Sequence, residues 1–209
     1  VRGTENVCLK VLKYKKKLIY TSSVATLGIE SEKISNEDSK VHFSDMIGDY
    51  KKSKYLAEKI VMRLIKKKGL ECITVNPSTP IGPGDIKPTP TGKIIYDMLK
   101  NKMPAYVDTG LNIVHVDDVA EGHFLALQYL QKNNPQILNL NLGTGFGTTV
   151  IELVNTFQEV NKVKIPFQFS KRREGDYPYV VAEVELAKKL LNWMPKKGIK
   201  EMCSDGWKW

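Results

Sequence analysis

Strand-like and helix-like segments alternate along this chain, and that alternation restricts its fold more than any other feature. Short apolar runs rich in β-forming residues precede longer stretches that have the spacing of an amphipathic helix. The predicted strands are 17–23, 70–77, 137–145 and 164–170, the predicted helices are 49–69, 93–102, 150–161 and 183–193, and 112–130 starts as a strand and continues as a helix. Strands separated by helices favour a largely parallel sheet with helices on both faces.

The fold class also predicts where a ligand binds. Sheets of this kind bind ligands at the carboxyl ends of their strands. The residues that close the first two predicted strands are Ser22–Ser23 and Asn76–Pro77. A loop rich in Pro, Gly and Thr follows at 78–92. These strand ends and that loop are therefore the candidate site.

Composition limits the class of protein. With 209 residues, 42% of them hydrophobic, the chain can form one domain with a core, or one domain and a lobe. It contains no apolar run of membrane-spanning length, and its first residues lack the pattern of a signal peptide. Three widely spaced cysteines form neither a metal-ligand pattern nor a disulfide framework, so we expect reduced thiols, a cytoplasmic location and no metal.

The net charge of +9 comes largely from clusters of basic residues at 13–17, 51–54, 65–69 and 171–173. These clusters lie mostly where predicted helices end or loops begin, which favours a solvated surface. Attraction of an anionic ligand is the main alternative. A nucleic-acid partner would need the charge on one face with stacking aromatic residues between the cations, so we expect neither nucleic acid nor membrane as a partner.

The helix predicted over 49–69 has Asp49 as a plausible N-cap and Gly69 as a plausible C-cap. On a helical wheel with Tyr50 at the origin, one apolar stripe contains Ala57, Ile60, Val61, Leu64 and Ile65. Lys54 lies inside that stripe, whereas the other cations of the first turns lie outside it. We therefore predict that Tyr50 and Lys54 both point toward the sheet.

A phenol, an ammonium and a hydroxyl that meet at a strand end form a unit that can transfer protons. Such a group can exchange a proton with a sugar or alcohol oxygen, with the phenol as base and acid. The serine pair at the end of the first strand would supply the hydroxyl. A lysine whose stem packs beside a buried tyrosine, with its ammonium reaching water, is the alternative interpretation of the same pattern.

Three motifs together resemble the extended short-chain dehydrogenase/reductase superfamily, which contains nucleotide-sugar epimerases and dehydratases. They are "TSSVATLG" at 21–28, "YKKSK" at 50–54 and "VNPSTPIGPGD" at 75–85. Residues 1–125 are most similar to the hopanoid-associated sugar epimerase and dihydroflavonol-reductase branch. The later motifs "LNLGTGFGTTVIELVNTFQEVN" and "KRREGD" are similar to UDP-glucose 4-epimerases.

The resemblance implies an α/β fold, a partial Rossmann-type doubly wound parallel sheet with a smaller C-terminal α/β substrate lobe. Residues 1–80 and 112–136 would belong to the NAD-binding part, and 81–111 and 137–209 to the nucleotide-sugar lobe. The chain has no Gly-x-x-Gly-x-x-Gly turn after an opening strand. We therefore expect that it starts midway through the family's domain and lacks about three βα units of about 30 residues each.

By the same resemblance, Tyr50 would act as general base and acid, and Lys54 would hold the nicotinamide ribose. Ser23 would form a hydrogen bond to the reacting sugar oxygen, with Ser22 the less suitable of the two serines. The backbone at Val75 would approach the nicotinamide.

Three further residues would contact the substrate. Asn76 would contact the phosphates of the sugar nucleotide. Arg173 would pair with the pyrophosphate and Asp176 with ribose hydroxyls, which suits a guanidinium and a carboxylate. Leu111 stands where UDP-sugar epimerases have a phosphate-binding arginine, and Val180 stands where some members have a tyrosine that closes the pocket.

The implied activity is that of an NAD-dependent nucleotide-sugar epimerase, most similar to UDP-glucose 4-epimerase. In that reaction NAD takes the hydride from C4, a 4-keto sugar forms, and the hydride returns to the other face. An NADP-dependent carbonyl reductase of the dihydroflavonol type is an alternative, and so is a catalytically silent fragment with an incomplete cofactor site. Family members often pair through the helix that carries Tyr50 and Lys54, so the resemblance also implies a homodimer.

Overall fold

The structure is a computed structural model that describes most of the chain. Its described residues are 1–28, 34–87, 89, 92–93, 96–97, 100, 102, 106–107, 110–133, 137–166, 169–170 and 181–207. The helices are α1 (Arg2–Lys13), α2 (Gly48–Lys68), α3 (Val116–Lys132), α4 (Val150–Asn161), α5 (Glu185–Leu191) and α6 (Ile199–Trp207). The strands are β1 (Leu18–Thr21), β2 (Cys72–Pro77), β3 (Thr79–Ile81), β4 (Tyr106–Val107), β5 (Gly110–Leu111), β6 (Ile113–His115), β7 (Asn139–Leu142), β8 (Thr148–Thr149) and β9 (Phe169–Ser170).

The chain forms two compact units. The first contains Val1–Ser78, Ala120–Leu142 and Ala182–Trp193, and the second contains Thr79–Val119, Gly143–Val181 and Met194–Trp209. The division predicted from the sequence differs because strand pairing decides which unit a segment joins. Strand β7 belongs to the first unit because it pairs with β2, and β6 belongs to the second because it pairs with β3.

The first unit is built on a parallel sheet with strand order β1-β2-β7. Every residue of β2 is buried, as expected for the central strand of a covered parallel sheet. Helices α1 and α2 pack together on this sheet, and their core contains Cys8, Val61, Leu64, Ile65, Leu70 and Cys72. The α/β class with a parallel sheet is confirmed.

The second unit has three short strand pairs, β3-β6 and β4-β9 in parallel and β5-β8 antiparallel. Helices α4 and α6 form most of its core, where the Phe157 and Trp207 rings lie edge to face with centroids 5.6 Å apart. Helix α4 starts with a capping box. The Thr149 hydroxyl accepts the Glu152 N–H at 3.2 Å, and the Glu152 carboxylate accepts the Thr149 N–H at 2.7 Å.

The predicted C-cap of α2 is confirmed, whereas its N-cap is not the predicted residue. Gly69 closes it in the left-handed conformation at φ +66°, which glycine adopts at no steric cost. Asp49 is not the N-cap, because Ile47 holds that position without a side-chain hydrogen bond and Asp49 lies inside the first turn. The helix predicted over 93–102 lies largely outside the described residues.

The cysteines Cys8, Cys72 and Cys203 are buried free thiols. Burial raises the pKa of Cys72 and of Cys203 to about 12. Within the described ranges, no group of three or more His, Cys, Asp or Glu side chains could hold a metal ion. No helix in that part of the chain combines the length and apolarity needed to cross a membrane.

Candidate active site

Helix α2 brings Lys54 to the carboxyl end of β1. Its Nζ donates a hydrogen bond to the Thr21 carbonyl at 3.1 Å and lies 3.5 Å from the Ser22 carbonyl. The side chain is half-buried, so its stem covers the sheet while the ammonium stays at the strand end. The predicted orientation of Lys54 toward the sheet is confirmed.

The predicted orientation of Tyr50 is wrong, because its side chain is 61% exposed. Lys54 contacts the residues at the end of β1, and Tyr50 lies one helical turn before Lys54. One turn of a helix is about 5.4 Å long, and Lys54 itself contacts only the last residues at the end of β1, so the exposure of Tyr50 fits a position farther from the sheet. Among the described residues the phenol has no hydrogen-bond partner, and none connects it to Ser23.

The two serines after β1 have different environments. Ser22 is 4% exposed, and its hydroxyl donates to Glu58 Oε2 at 2.7 Å. Ser23 is half-buried, and its Oγ accepts the Ala25 N–H at 3.2 Å, which starts a short 3₁₀ turn. Within the described part of the chain, the Ser23 hydroxyl proton goes to no acceptor. Of the two, Ser23 therefore has the proton that a ligand oxygen could accept.

Glu58 is a site residue that the sequence analysis missed. Its Oε2 accepts the Ser22 hydroxyl and lies 2.9 Å from the Thr26 hydroxyl oxygen, whose one proton also has the Ser23 carbonyl as an acceptor at 2.7 Å. Glu58 follows Lys54 by four residues, so the two side chains lie one above the other on α2. The helical wheel carried the signal, since Glu58 lies about 80° from Tyr50 at the border of the apolar stripe.

His123 of α3 is a second residue that the sequence analysis missed. Its Nε2 lies 2.9 Å from the hydroxyl oxygen of Thr21, beside the carbonyl that Lys54 holds. Helix α3 and helix α2 thus both contact the last residue of β1. No local pattern indicates this contact, because the two residues are 102 positions apart.

The carboxyl end of β2 is closed inside the first unit. Val75 is fully buried, and its carbonyl accepts the Ser22 N–H at 2.8 Å. Asn76 is also fully buried; its Nδ2 donates to Asn141 Oδ1 at 3.3 Å, while its Oδ1 has no partner among the described residues. One of the two amide N–H groups of Asn76 is thus engaged within the sheet, and the phosphate contact predicted for this residue stays a prediction.

Glu37 supports the strand next to Asn76. Its carboxylate accepts the Asn141 backbone N–H at 2.8 Å. Burial raises the pKa of Glu37, and this hydrogen bond opposes that shift in part. Arg173, Asp176 and Val180 lie outside the described residues, so their roles remain predictions.

The strand-end residues fit one half of a dinucleotide. Lys54 has three N–H donors and directs at most two toward the carbonyls of Thr21 and Ser22, which leaves one for a ribose hydroxyl. Ser23 adds a hydroxyl at this strand end, and Tyr50, one helical turn before Lys54, has an exposed phenol. In contrast, the described residues include no Gly-x-x-Gly-x-x-Gly turn between a strand and a helix, the pattern that cradles a pyrophosphate. The described residues therefore provide contacts for the nicotinamide end of the dinucleotide and none for its pyrophosphate.

The family model described as "NAD dependent epimerase/dehydratase family" matches residues 1–142. The chain belongs to this family. A putative dihydroflavonol 4-reductase of Synechocystis is 47% identical over 130 residues, which are 61% of this chain. UDP-glucose 4-epimerase 3 of rice is 32% identical over the whole chain, and UDP-glucose 4-epimerase of Bacillus subtilis is 30% identical over 99% of it. The resemblance inferred from the motifs is confirmed.

Solved structures of similar proteins share the fold. The crystal structure of gox2253 superposes with a TM-score of 0.88 at 39% identity, covering 100% of this chain and 70% of that one. UDP-glucose 4-epimerase from Stenotrophomonas maltophila, solved with NAD and formylated UDP-arabinopyranose, superposes with a TM-score of 0.83 at 24% identity, covering 100% of this chain and 72% of that one. The chain spans 38%, 61% and 66% of the Synechocystis, rice and Bacillus proteins.

Proposed function

We propose that this chain belongs to an NAD-dependent nucleotide-sugar epimerase that interconverts UDP-glucose and UDP-galactose. The observation that carries the proposal is the arrangement at the end of β1. There the Lys54 ammonium is fixed to the strand-end carbonyls, Ser23 retains an uncommitted hydroxyl proton, and the preceding helical turn exposes the Tyr50 phenol. Family membership and the similarity to UDP-glucose 4-epimerases support the choice of reaction.

The protein's own contribution is proton transfer and positioning. Tyr50 takes the proton from the C4 hydroxyl of the sugar and later returns it. Ser23 donates a hydrogen bond to the same oxygen, and Lys54 orients the nicotinamide ribose. NAD, when bound, supplies the acceptor and donor of the C4 hydrogen, which is chemistry that no side chain can supply.

The substrate's nucleotide would be held elsewhere in the chain. We propose that Arg173 pairs with the pyrophosphate, Asp176 binds ribose hydroxyls, and Asn76 contributes a further polar contact. Leu111 in β5 and Val180 replace an arginine and a tyrosine of the family pattern. The leucine lacks the cation that would hold a phosphate, which weakens the case for UDP as the carrier. The valine favours a roomier sugar pocket, which would also admit an N-acetylated sugar.

A carbonyl reductase that uses NADP is the second candidate function. The Synechocystis protein named as a putative dihydroflavonol 4-reductase supports it, because its identity of 47% exceeds that of the epimerases that match the full chain. Both functions use the same tyrosine, lysine and serine. They differ in whether the reduced cofactor is consumed.

The deciding experiment incubates the purified chain with NAD and UDP-galactose and follows UDP-glucose by a coupled assay. We expect UDP-glucose to form without net change in the cofactor's absorbance at about 340 nm, because an epimerase returns the hydride it removes. Steady consumption of NADPH with a carbonyl substrate would instead establish the reductase. Absence of both activities, together with absence of NAD binding, would establish the silent fragment and refute the proposal.

We also propose that the protein acts as a homodimer in the cytoplasm. Apolar side chains exposed on α1 and α2, Val7 at 55% and Leu56 at 41%, support pairing through these helices. The three buried free thiols are compatible with a reducing compartment.

A further inference from the structure

Two side chains of opposite charge on one face of α2, Lys54 and Glu58, contact the segment that carries Ser23. The Lys54 ammonium contacts the carbonyls of Thr21 and Ser22, and the Glu58 carboxylate accepts the Ser22 hydroxyl. The Thr26 hydroxyl lies 2.9 Å from the same carboxylate oxygen and 2.7 Å from the Ser23 carbonyl, so its one proton has both as acceptors. Both hydroxyl-bearing residues are buried, with 4% and 3% exposure. Hydrogen bonds to an ionised carboxylate are among the strong ones, so Glu58 ties both sides of Ser23 to the helix.

We propose that Glu58 is the positioning residue that sets the orientation of the Ser23 hydroxyl relative to Lys54 and Tyr50. Glu58 contacts Ser22, the residue before Ser23, and Thr26, three positions after it, and it accepts the hydrogen bond that the Ser22 hydroxyl donates. It thereby leaves Ser23 as the one serine of the pair with a proton for the substrate. This inference rests on the proposed function for its catalytic consequence, and on the contacts alone for its structural one.

The segment that carries Ser23 borders a cavity, so packing alone does not fix its position. A cavity of about 300 Å³ lies beside it in the first unit, bordered by Thr26, Leu27, Glu37 and Glu58. A well-packed wall would hold the 3₁₀ turn after Ser23 by contact, whereas a cavity gives the turn room to move. With Glu58 truncated, we expect the segment to shift toward this space. A displacement of about 1 Å of a catalytic group can cost about 100-fold in rate.

The test compares Glu58→Ala with Glu58→Gln in the full chain. Glutamine keeps the length and one acceptor oxygen, so it can still receive the hydroxyls of Ser22 and Thr26, while alanine cannot. Glu5→Ala is the matched control, because it also removes a glutamate that contacts α2, through an exposed ion pair with Arg63. Amide hydrogen exchange is read by mass spectrometry over 20–28, with 150–161 as the internal reference.

We expect Glu58→Ala to raise exchange in 20–28 by about 10-fold relative to the reference, and Glu58→Gln and Glu5→Ala to stay within about 2-fold of the parent. Exchange in 20–28 that stays at the parent level in Glu58→Ala, or that rises equally in Glu58→Gln, would overturn the proposal. An equal rise in both segments would show global destabilisation and would also overturn it. This arm is independent of whether the chain is an epimerase.

The second arm measures turnover with UDP-galactose and the Kd for NAD. We expect Glu58→Ala to lower kcat by about 10- to 100-fold with NAD affinity changed by less than about 3-fold, and Glu58→Gln to recover most of kcat. Loss of NAD affinity in parallel with kcat would contradict a positioning role confined to Ser23. A parent without epimerase activity refutes the proposed function while leaving the exchange result valid.

Discussion

Replacing Lys54 with methionine removes the ammonium and keeps an apolar stem of similar length. The parent ammonium donates at 3.1 Å to the Thr21 carbonyl, and Thr21 is exposed, so water can replace that donor in the variant. We therefore expect the free energy of unfolding to fall by about 1 kcal/mol, below the ~1.5–3 kcal/mol typical of a charge-assisted hydrogen bond.

The effect of Lys54→Met on NAD affinity should be larger, because the third donor of Lys54 is assigned to the nicotinamide ribose. Losing one charge-assisted hydrogen bond of ~1.5–3 kcal/mol corresponds to a Kd about 10- to 100-fold weaker. Titration calorimetry with NAD measures the affinity, and urea denaturation measures the stability. The stability measurement shows whether the variant is folded under the conditions of the titration.

Lys52→Met is the matched control for charge. Lys52 is exposed on the same helix, two residues before Lys54, and its loss changes the net charge by the same amount. We expect its Kd for NAD to stay within about 2-fold of the parent, since an exposed charge is screened. Equal weakening in the two variants would show a general charge effect and refute the assignment of Lys54 to the ribose.

Two further predictions concern the second unit's capping box and the thiols. Hydrogen bonds from the Thr149 N–H and hydroxyl lower the pKa of Glu152, so this stabilisation is present above the unfolded carboxyl's pKa and is lost as pH falls through the folded value. Thr149→Ala removes the hydroxyl and keeps the N–H, so it should cost about 1 kcal/mol near pH 7. Urea denaturation should show that the difference from the parent narrows in part near pH 3, because only the hydroxyl's bond to the carboxylate is lost; a difference that does not change with pH would contradict the assignment. Because burial raises the pKa of Cys72 and Cys203 to about 12, a thiol reagent at about pH 8 should label the chain slowly until denaturant is added. Rapid labelling of Cys72 in the native protein would refute this.

The periodicity of α2 correctly predicted that Lys54 faces the sheet, but it could not predict that Tyr50, one turn earlier, is exposed. Periodicity placed Lys54 on the inner face, which the structure confirms, and gave Tyr50 the same face. Whether an inner-face residue is buried depends on where the neighbouring strand stops, and no local pattern contains that information. Gly69 was predictable because a helix that ends in the left-handed conformation strongly favours glycine.

Contacts between distant segments account for the remaining differences. Strand β7 looks like the start of the C-terminal lobe by its position in the sequence, yet it pairs with β2, and the Asn76–Asn141 contact joins residues 65 positions apart. The distinction between Ser22 and Ser23 also depends on such a contact. It comes from Glu58, which is 36 residues from Ser22 and has no motif of its own.

The central claim is that the exposed phenol of Tyr50 exchanges the proton in the reaction. Tyr50→Phe removes that one hydroxyl, and Tyr55→Phe makes the same chemical change on the same helix at a residue that packs against Phe43. The decisive measurement is the rate of UDP-galactose conversion by these two variants and the parent. We expect Tyr50→Phe to convert UDP-galactose about 100- to 10,000-fold more slowly than the parent, and Tyr55→Phe to stay near the parent rate. Conversion by Tyr50→Phe at more than about 1% of the parent rate would contradict it.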